Sequence, residues 1–229
     1  MNSPKTIPIY LEIGQKKTFA GAVEWPGWCR AGRDEAAAKA ALLAYGPRYG
    51  QMLQAADIAF QAPADATTLT VVERLAGNAT TDFGAPDAMP ASDEAPLTAA
   101  DLGRYERLLP AFWHAFDTAV QAATGKELRT GPRGGGRDLD KIMEHILGAE
   151  ANYLRRLAWK HTVNEAAAVH DELKRIRPAI LEALATAARG ELPQQGPRGG
   201  KIWQPHYFVR RSVWHLLDHI WEIEDRIMA

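Results

Sequence analysis

The chain has 229 residues, 46% of them apolar and 24% charged, the balance of an ordinary globular protein long enough for one large domain or two small ones. Its 27 Lys and Arg against 28 Asp and Glu exclude the overall basic field by which proteins gather nucleic acid or anionic membrane surfaces. No stretch reaches the roughly 20 apolar residues of a membrane span, Met1 to Leu11 lacks the apolar core of a secretory leader, and the single cysteine, Cys29, excludes an intrachain disulfide, so a cytoplasmic protein is expected.

In chain order, Ile7 to Gly14 and Thr18 to Trp25 alternate apolar and polar residues around Gly-Gln-Lys-Lys, which predicts a β-hairpin. Asp34 can cap a helix carrying Ala36, Ala37, Ala40, Leu43 and Ala44 at helical spacing. Thr68 to Leu75, rich in β-branched residues, supplies a further strand. The expected order is β-β-α-β over residues 1–77, with room for a short extra strand near Trp28 to Ala31. Trp25 and Trp28 read either as an exposed aromatic surface or as a lid on this small sheet.

Residues 78–96 shift to Ala, Asp, Pro, Thr, Gly and Ser and read as a linker. Over 97–229, amphipathic segments at Thr98–Thr124, Asp138–His161, Val163–Arg189 and Pro205–Met228 predict an all-α four-helix bundle. The string Gly-Pro-Arg-Gly-Gly occurs twice, at 131–135 and 196–200, each time ahead of a histidine-bearing helix.

The histidines carry the chemistry. His145 sits on the inward stripe Leu139, Ile142, Ile146, Ala149 and Tyr153, and His215 and His219 lie at i and i+4 among Phe208, Ser212, Leu216, Ile220, Ile223 and Ile227. Residues four apart hold their Cβ atoms about 5–6 Å from one another, close enough to share one ion at Zn–N distances of roughly 2.0–2.1 Å. Any one of these histidines alone reads as an ordinary core residue. Three together, unpartnered, would cost about 1–3 kcal/mol each, and one metal satisfies all of them. Three protein ligands with an open position is the pattern of catalytic metal sites. His114, His161, His170 and His206 receive no such role. Glu144, Glu150, Asp218 and Glu222 are candidates to orient the imidazoles.

His145-Ile146 with Glu150 and Tyr153, and Trp214-His215-Leu216-Leu217-Asp218-His219, resemble the DinB/YfiT-like family of four-helix metalloproteins over about Thr98 to Ala229. The resemblance implies that His145, His215 and His219 hold divalent nickel or zinc, and, through members that use low-molecular-weight thiols, a thiol S-transferase. The family's His-Arg-Gly-Gln-like ending is replaced here by Ile220-Trp221-Glu222-Ile223-Glu224-Asp225-Arg226. The stretch Phe19 to Trp28, with Gly32 before the helix from Asp34, resembles the HicB-type antitoxin domain over Ile7 to Leu75. That resemblance implies a module for a protein partner or a second copy of the chain. No DNA-binding motif follows it.

Two function classes are therefore expected. In the first the metal activates a water or a thiol, giving a hydrolase or a thiol S-transferase acting on a small molecule. The two Gly-rich loops, through Arg133, Arg137 and Arg198, would then bind a carboxylate or phosphate of the substrate, or serve only as solvated loops. In the second the metal merely stabilises the bundle, and the HicB-like module of a non-catalytic protein does the binding. Trp113, Trp203, Trp214 and Trp221 read as core residues that could line a pocket.

Overall fold

The computed structural model of the chain describes residues 6–130, 136–196 and 202–228. Gly14 N donates to Lys17 O across the tight turn of the predicted hairpin, so that β1 (Ile7–Ile13) and β2 (Thr18–Ala22) pair antiparallel, Tyr10 opposite Gly21 and Glu12 opposite Phe19. A Cβ on Gly21 would lie 2.4 Å from the Tyr10 ring, so this register admits only glycine there. A short β3 (Cys29–Gly32) adds to β2, and β4 (Leu69–Ala76) runs parallel to β1, giving a mixed sheet of order β3-β2-β1-β4. The element order is thus β-β-β-α-β: the expected β-β-α-β with the short extra strand, allowed for near Trp28 to Ala31, formed at Cys29–Gly32.

Helix α1 (Glu35–Gln54) starts where the Asp34 carboxylate accepts from Ala37 N, 2.8 Å, and packs on β2 and β3. Trp28 is fully buried beneath it, donating to Leu42 O and stacked on Tyr49, with Phe60 edge-on. Trp28 is accordingly core, and Trp25 packs its edge on Phe60 and Tyr49.

Residues 78–96, expected to be a linker, are structured instead: α2 (Ala79–Phe83), capped by Asn78, and a 3-10 turn at Ala91–Glu94. Glu12 is the physical reason. Alternation marks it as the polar, outward half of β1, yet it is fully buried, and its carboxylate accepts from Thr81 Oγ1 and from the amides of Asp87 and Ala88 at 2.9–3.1 Å. A buried carboxylate is tolerable only with such donors, and the segment supplies them. Burial still pushes the Glu12 carboxyl upward, against these hydrogen bonds.

The chain divides into two compact units, residues up to Ala95 with Val209–Trp214, and Pro96–Phe208 with His215 onward. In the first, Trp214 joins a core of Tyr10, Phe19 and Cys29, so it does not belong to a pocket of the helical segments. Arg210 is buried there too, forked onto Asp93 at 2.7 and 2.8 Å and donating to the carbonyls of Ala22 and Val23, both at 2.8 Å.

The second unit holds α3 (Ala99–Ala123), α4 (Leu139–Arg156) and α5 (Val169–Ala188), with α5 packed on both α3 and α4, and most of α6 (Pro205–Arg226). Thr98 and Asp101 cap α3 reciprocally. The second and third helices are shorter than expected. α4 ends in a Schellman turn, Trp159 N to Leu154 O and Ala158 N to Arg155 O, with Ala158 at φ 60° in the place glycine usually takes. From the start of α5, Glu172 accepts from Asn164 N and binds Arg175, which reaches Thr162 O, and this holds residues 162–164 out of the helix. Among the described residues no helix is long and apolar enough to cross a membrane.

Replacing Arg210 with alanine strands the buried Asp93 carboxylate and should cost about 3–5 kcal/mol of stability in urea denaturation of the full chain. A loss below 1 kcal/mol would show that the pair does not hold the first unit together.

Candidate metal centre

His145 projects from the middle of α4, and His215 and His219 from successive turns of α6. One ring nitrogen from each lies within 4.8 Å of the others, a group found among the described residues. His145 Nε2 and His215 Nε2 are 3.0 Å apart, and the three ring centroids are separated by 4.8–5.0 Å, each pair of rings edge to face. Two nitrogens bound to one ion at about 2.0–2.1 Å stand themselves about 3 Å apart. The same approach also suits a hydrogen bond between two neutral imidazoles, which would leave the third ring outside it.

The placement on α4 differs from expectation in one respect. Its buried face runs through Ile142, Ile146, Glu150 and Leu154, with Leu147 and Ala151, and His145, Ala149 and Tyr153 flank it, half-buried. His145 therefore borders the core. His215 is half-buried like it, with the Tyr153 ring edge-on at 5.8 Å, while His219 is 7% exposed. Burial, reinforced by the Arg137 guanidinium, lowers His145 from 6.5 to about 4. It is a neutral imidazole at physiological pH, the form that donates a lone pair to a metal.

Of the four carboxylates expected beside the imidazoles, Glu222 is brought there. Its Oε2 lies 2.7 Å from His219 Nδ1, and this hydrogen bond is the first cause of its lowered pKa. An ionised carboxylate only accepts, so His219 carries its proton on Nδ1 and leaves Nε2 free to ligate. Glu144 is exposed near Lys141, and Asp218 is half-buried. Glu150 is turned the other way, toward Trp113 of α3 and the Arg177–Asp117 pair that joins α5 to α3 at 2.7 Å. Five positions along a helix separate it from His145 by more than a third of a turn, which removes it from the imidazoles.

Arg137 is exposed at the start of α4 and lines a cavity of about 470 Å³ with Lys126, Leu128, Thr130, Asp138 and Arg226. Arg133 and Arg198, the other expected anion ligands, lie outside the described residues. Of the aromatics, Trp203 lies tilted against Tyr153, ring centroids 5.1 Å apart, whereas Trp113 and Trp221 are buried core. His206 pairs with Tyr105, Nδ1 to OH 2.6 Å, and stands apart from the cluster.

The sequence reading missed Arg226. Its guanidinium bonds Glu222 Oε1, Arg129 O at 2.7 Å and Arg137 O at 3.0 Å. The only local signal is a Glu–Arg pair at i, i+4, which ordinarily marks a solvated helix surface. No family model, curated protein or solved structure matches the chain.

Burial raises the Glu150 carboxyl from its usual 4.5 to about 7, and one of its oxygens has no hydrogen-bond partner. A raised carboxyl binds its proton more tightly folded than unfolded, so its contribution to stability falls as pH rises from about 4.5 to about 7 and is level above. Glu150→Gln should therefore gain on the parent chain between pH 4 and pH 8 by roughly 3 kcal/mol, at about 1.4 kcal/mol per unit. A stability difference that stays constant with pH would refute the assignment.

Proposed function

We propose that the chain is a metal-dependent protein of the DinB/YfiT-like kind, whose helical segments form a four-helix bundle holding one Zn²⁺ or Ni²⁺ on His145, His215 and His219. The observation that carries this reading is the convergence of three imidazoles from two helices within 4.8 Å. Their chemistry fits a borderline-soft divalent ion, which favours nitrogen donors. The bound ion would supply Lewis acidity, lowering the pKa of a water or a low-molecular-weight thiol at its open position.

The chain's own residues do the remainder. Burial keeps His145 neutral, and Glu222 orients His219. Arg137, which lines a cavity, would attract a carboxylate or phosphate on a small substrate, the role that the sequence suggests for Arg133 and Arg198 as well. The reaction classes this serves are thiol S-transfer and hydrolysis, in the cytoplasm that a lone buried cysteine suits.

One observation favours a second reading. Glu222 is held on both oxygens by His219 and Arg226, which also hold its carboxyl below the usual range and make it a poor general base. In this reading the metal stabilises the fold, and the N-terminal HicB-like module binds a protein partner or another copy of the chain.

Protein purified without an affinity tag should carry about one equivalent of zinc or nickel, lose it to a chelator with a drop in melting temperature, and fail to bind it as His215→Ala. Absence of metal from the parent chain, with no chelator-dependent shift, would reject the site. X-ray absorption on the loaded protein then separates the two readings: three nitrogens with an oxygen from water supports an enzyme, and a fourth protein ligand supports the stabilising role.

A further inference from the structure

We infer that Glu222 and Arg226 are positioning residues for His219: Arg226 immobilises Glu222, and Glu222 fixes the proton on His219 Nδ1 so that Nε2 is the ligating atom. The inference deepens the metal reading above and rests on it.

The chain of contacts is continuous. His219 Nδ1 lies 2.7 Å from Glu222 Oε2, and the other oxygen, Oε1, accepts from Arg226 Nη1. Arg226 is 8% exposed, and its remaining donors reach backbone carbonyls, Nε to Arg129 O at 2.7 Å and Nη2 to Arg137 O at 3.0 Å. Guanidinium donors lie in one rigid plane, so three acceptors in different directions fix the side chain in one orientation. A lysine, with a single nitrogen, cannot meet all three.

The backbone around Arg226 is built to the same end. Arg226 O accepts from Arg129 N at 2.8 Å, and Leu128 and Ile227 form an antiparallel bridge, with Met228 N donating to Glu127 O. Gly136 takes φ +156°, and a Cβ there would stand 2.5 Å from Arg226 Nη2. The close approach of the guanidinium to the α4 side therefore depends on a residue without a side chain. A surface ion pair needs none of this. The arrangement matches the outer partners that orient metal-bound histidines elsewhere, whose loss weakens metal binding about 10–100-fold.

The test has two readouts on the full chain, metal-free and then titrated with Zn²⁺ against a competing chelator. In the metal-free chain, ¹⁵N chemical shifts should report His219 with its proton on Nδ1, and Glu222→Ala should convert it to a mixture of tautomers. Zn²⁺ affinity should fall about 10–100-fold in Glu222→Ala, and measurably in Arg226→Lys, with the metal-free circular dichroism of both variants unchanged. If a variant unfolds, Glu222→Gln, which keeps an acceptor but loses the charge, replaces it and should retain the tautomer with weakened Zn²⁺. Parent-like affinity and tautomer in Glu222→Ala would overturn the inference while leaving the metal reading intact. A parent chain that binds no Zn²⁺ would overturn the reading itself.

Discussion

The withdrawal of charged side chains from water is the constraint on which the rest of this structure depends. Each of them is a demand for donors or acceptors, and the backbone is arranged to meet it. Glu12 draws the amides of Asp87 and Ala88 onto the sheet. Arg210 gathers Asp93 and two strand-end carbonyls. Arg226 ties the segments before and after residues 131–135 to the end of α6. The apolar contacts account for the mass of the core, but these polar contacts decide which irregular segment lies where, because a misplaced segment would leave a buried charge uncompensated.

The imidazoles pose the same demand at a different place. Burial makes His145 a neutral donor of a lone pair, and a lone pair in such surroundings is best used on a proton donor or a cation. His145 and His215 can satisfy each other with one hydrogen bond. The third ring is held in a single tautomer by Glu222, which aims its free nitrogen without offering it a proton. The three rings each bring one nitrogen within 4.8 Å of the others, close enough for one divalent ion to take all three.

Much of this is legible in the residues, and the remainder fails for identifiable reasons. The pair His215/His219 follows from helical spacing alone, and so do the limits of α3, whose capping box is written in Thr98 and Asp101. The end of α4 is hidden because alanine, at position 158, occupies a left-handed conformation that sequence rules reserve for glycine. Glu12 and Arg210 are misleading locally: the first has the place of an outward polar residue in an alternating strand and the second that of a solvated helix base, and only long-range partners make them interior. Glu150 shows the opposite error, since proximity in sequence to His145 suggested a shared site while helical phase placed it against α3 and α5. Arg226 needs two carbonyls from a connection whose path no periodicity describes.

The first unit is discontinuous, completed by Val209–Trp214 near the other end of the chain. During synthesis its strands and α1 emerge early, but the guanidinium that neutralises Asp93 and the indole that packs on Tyr10 and Phe19 do not exist until most of the helical residues have been made. At about 5–20 residues per second that interval is on the order of 10 s. Through it the nascent sheet lacks the partner of its Asp93 carboxylate and the cover of its aromatic face, so a chain cut short within α6 before Val209 lacks part of the first unit, far though that cut is from the sheet in sequence.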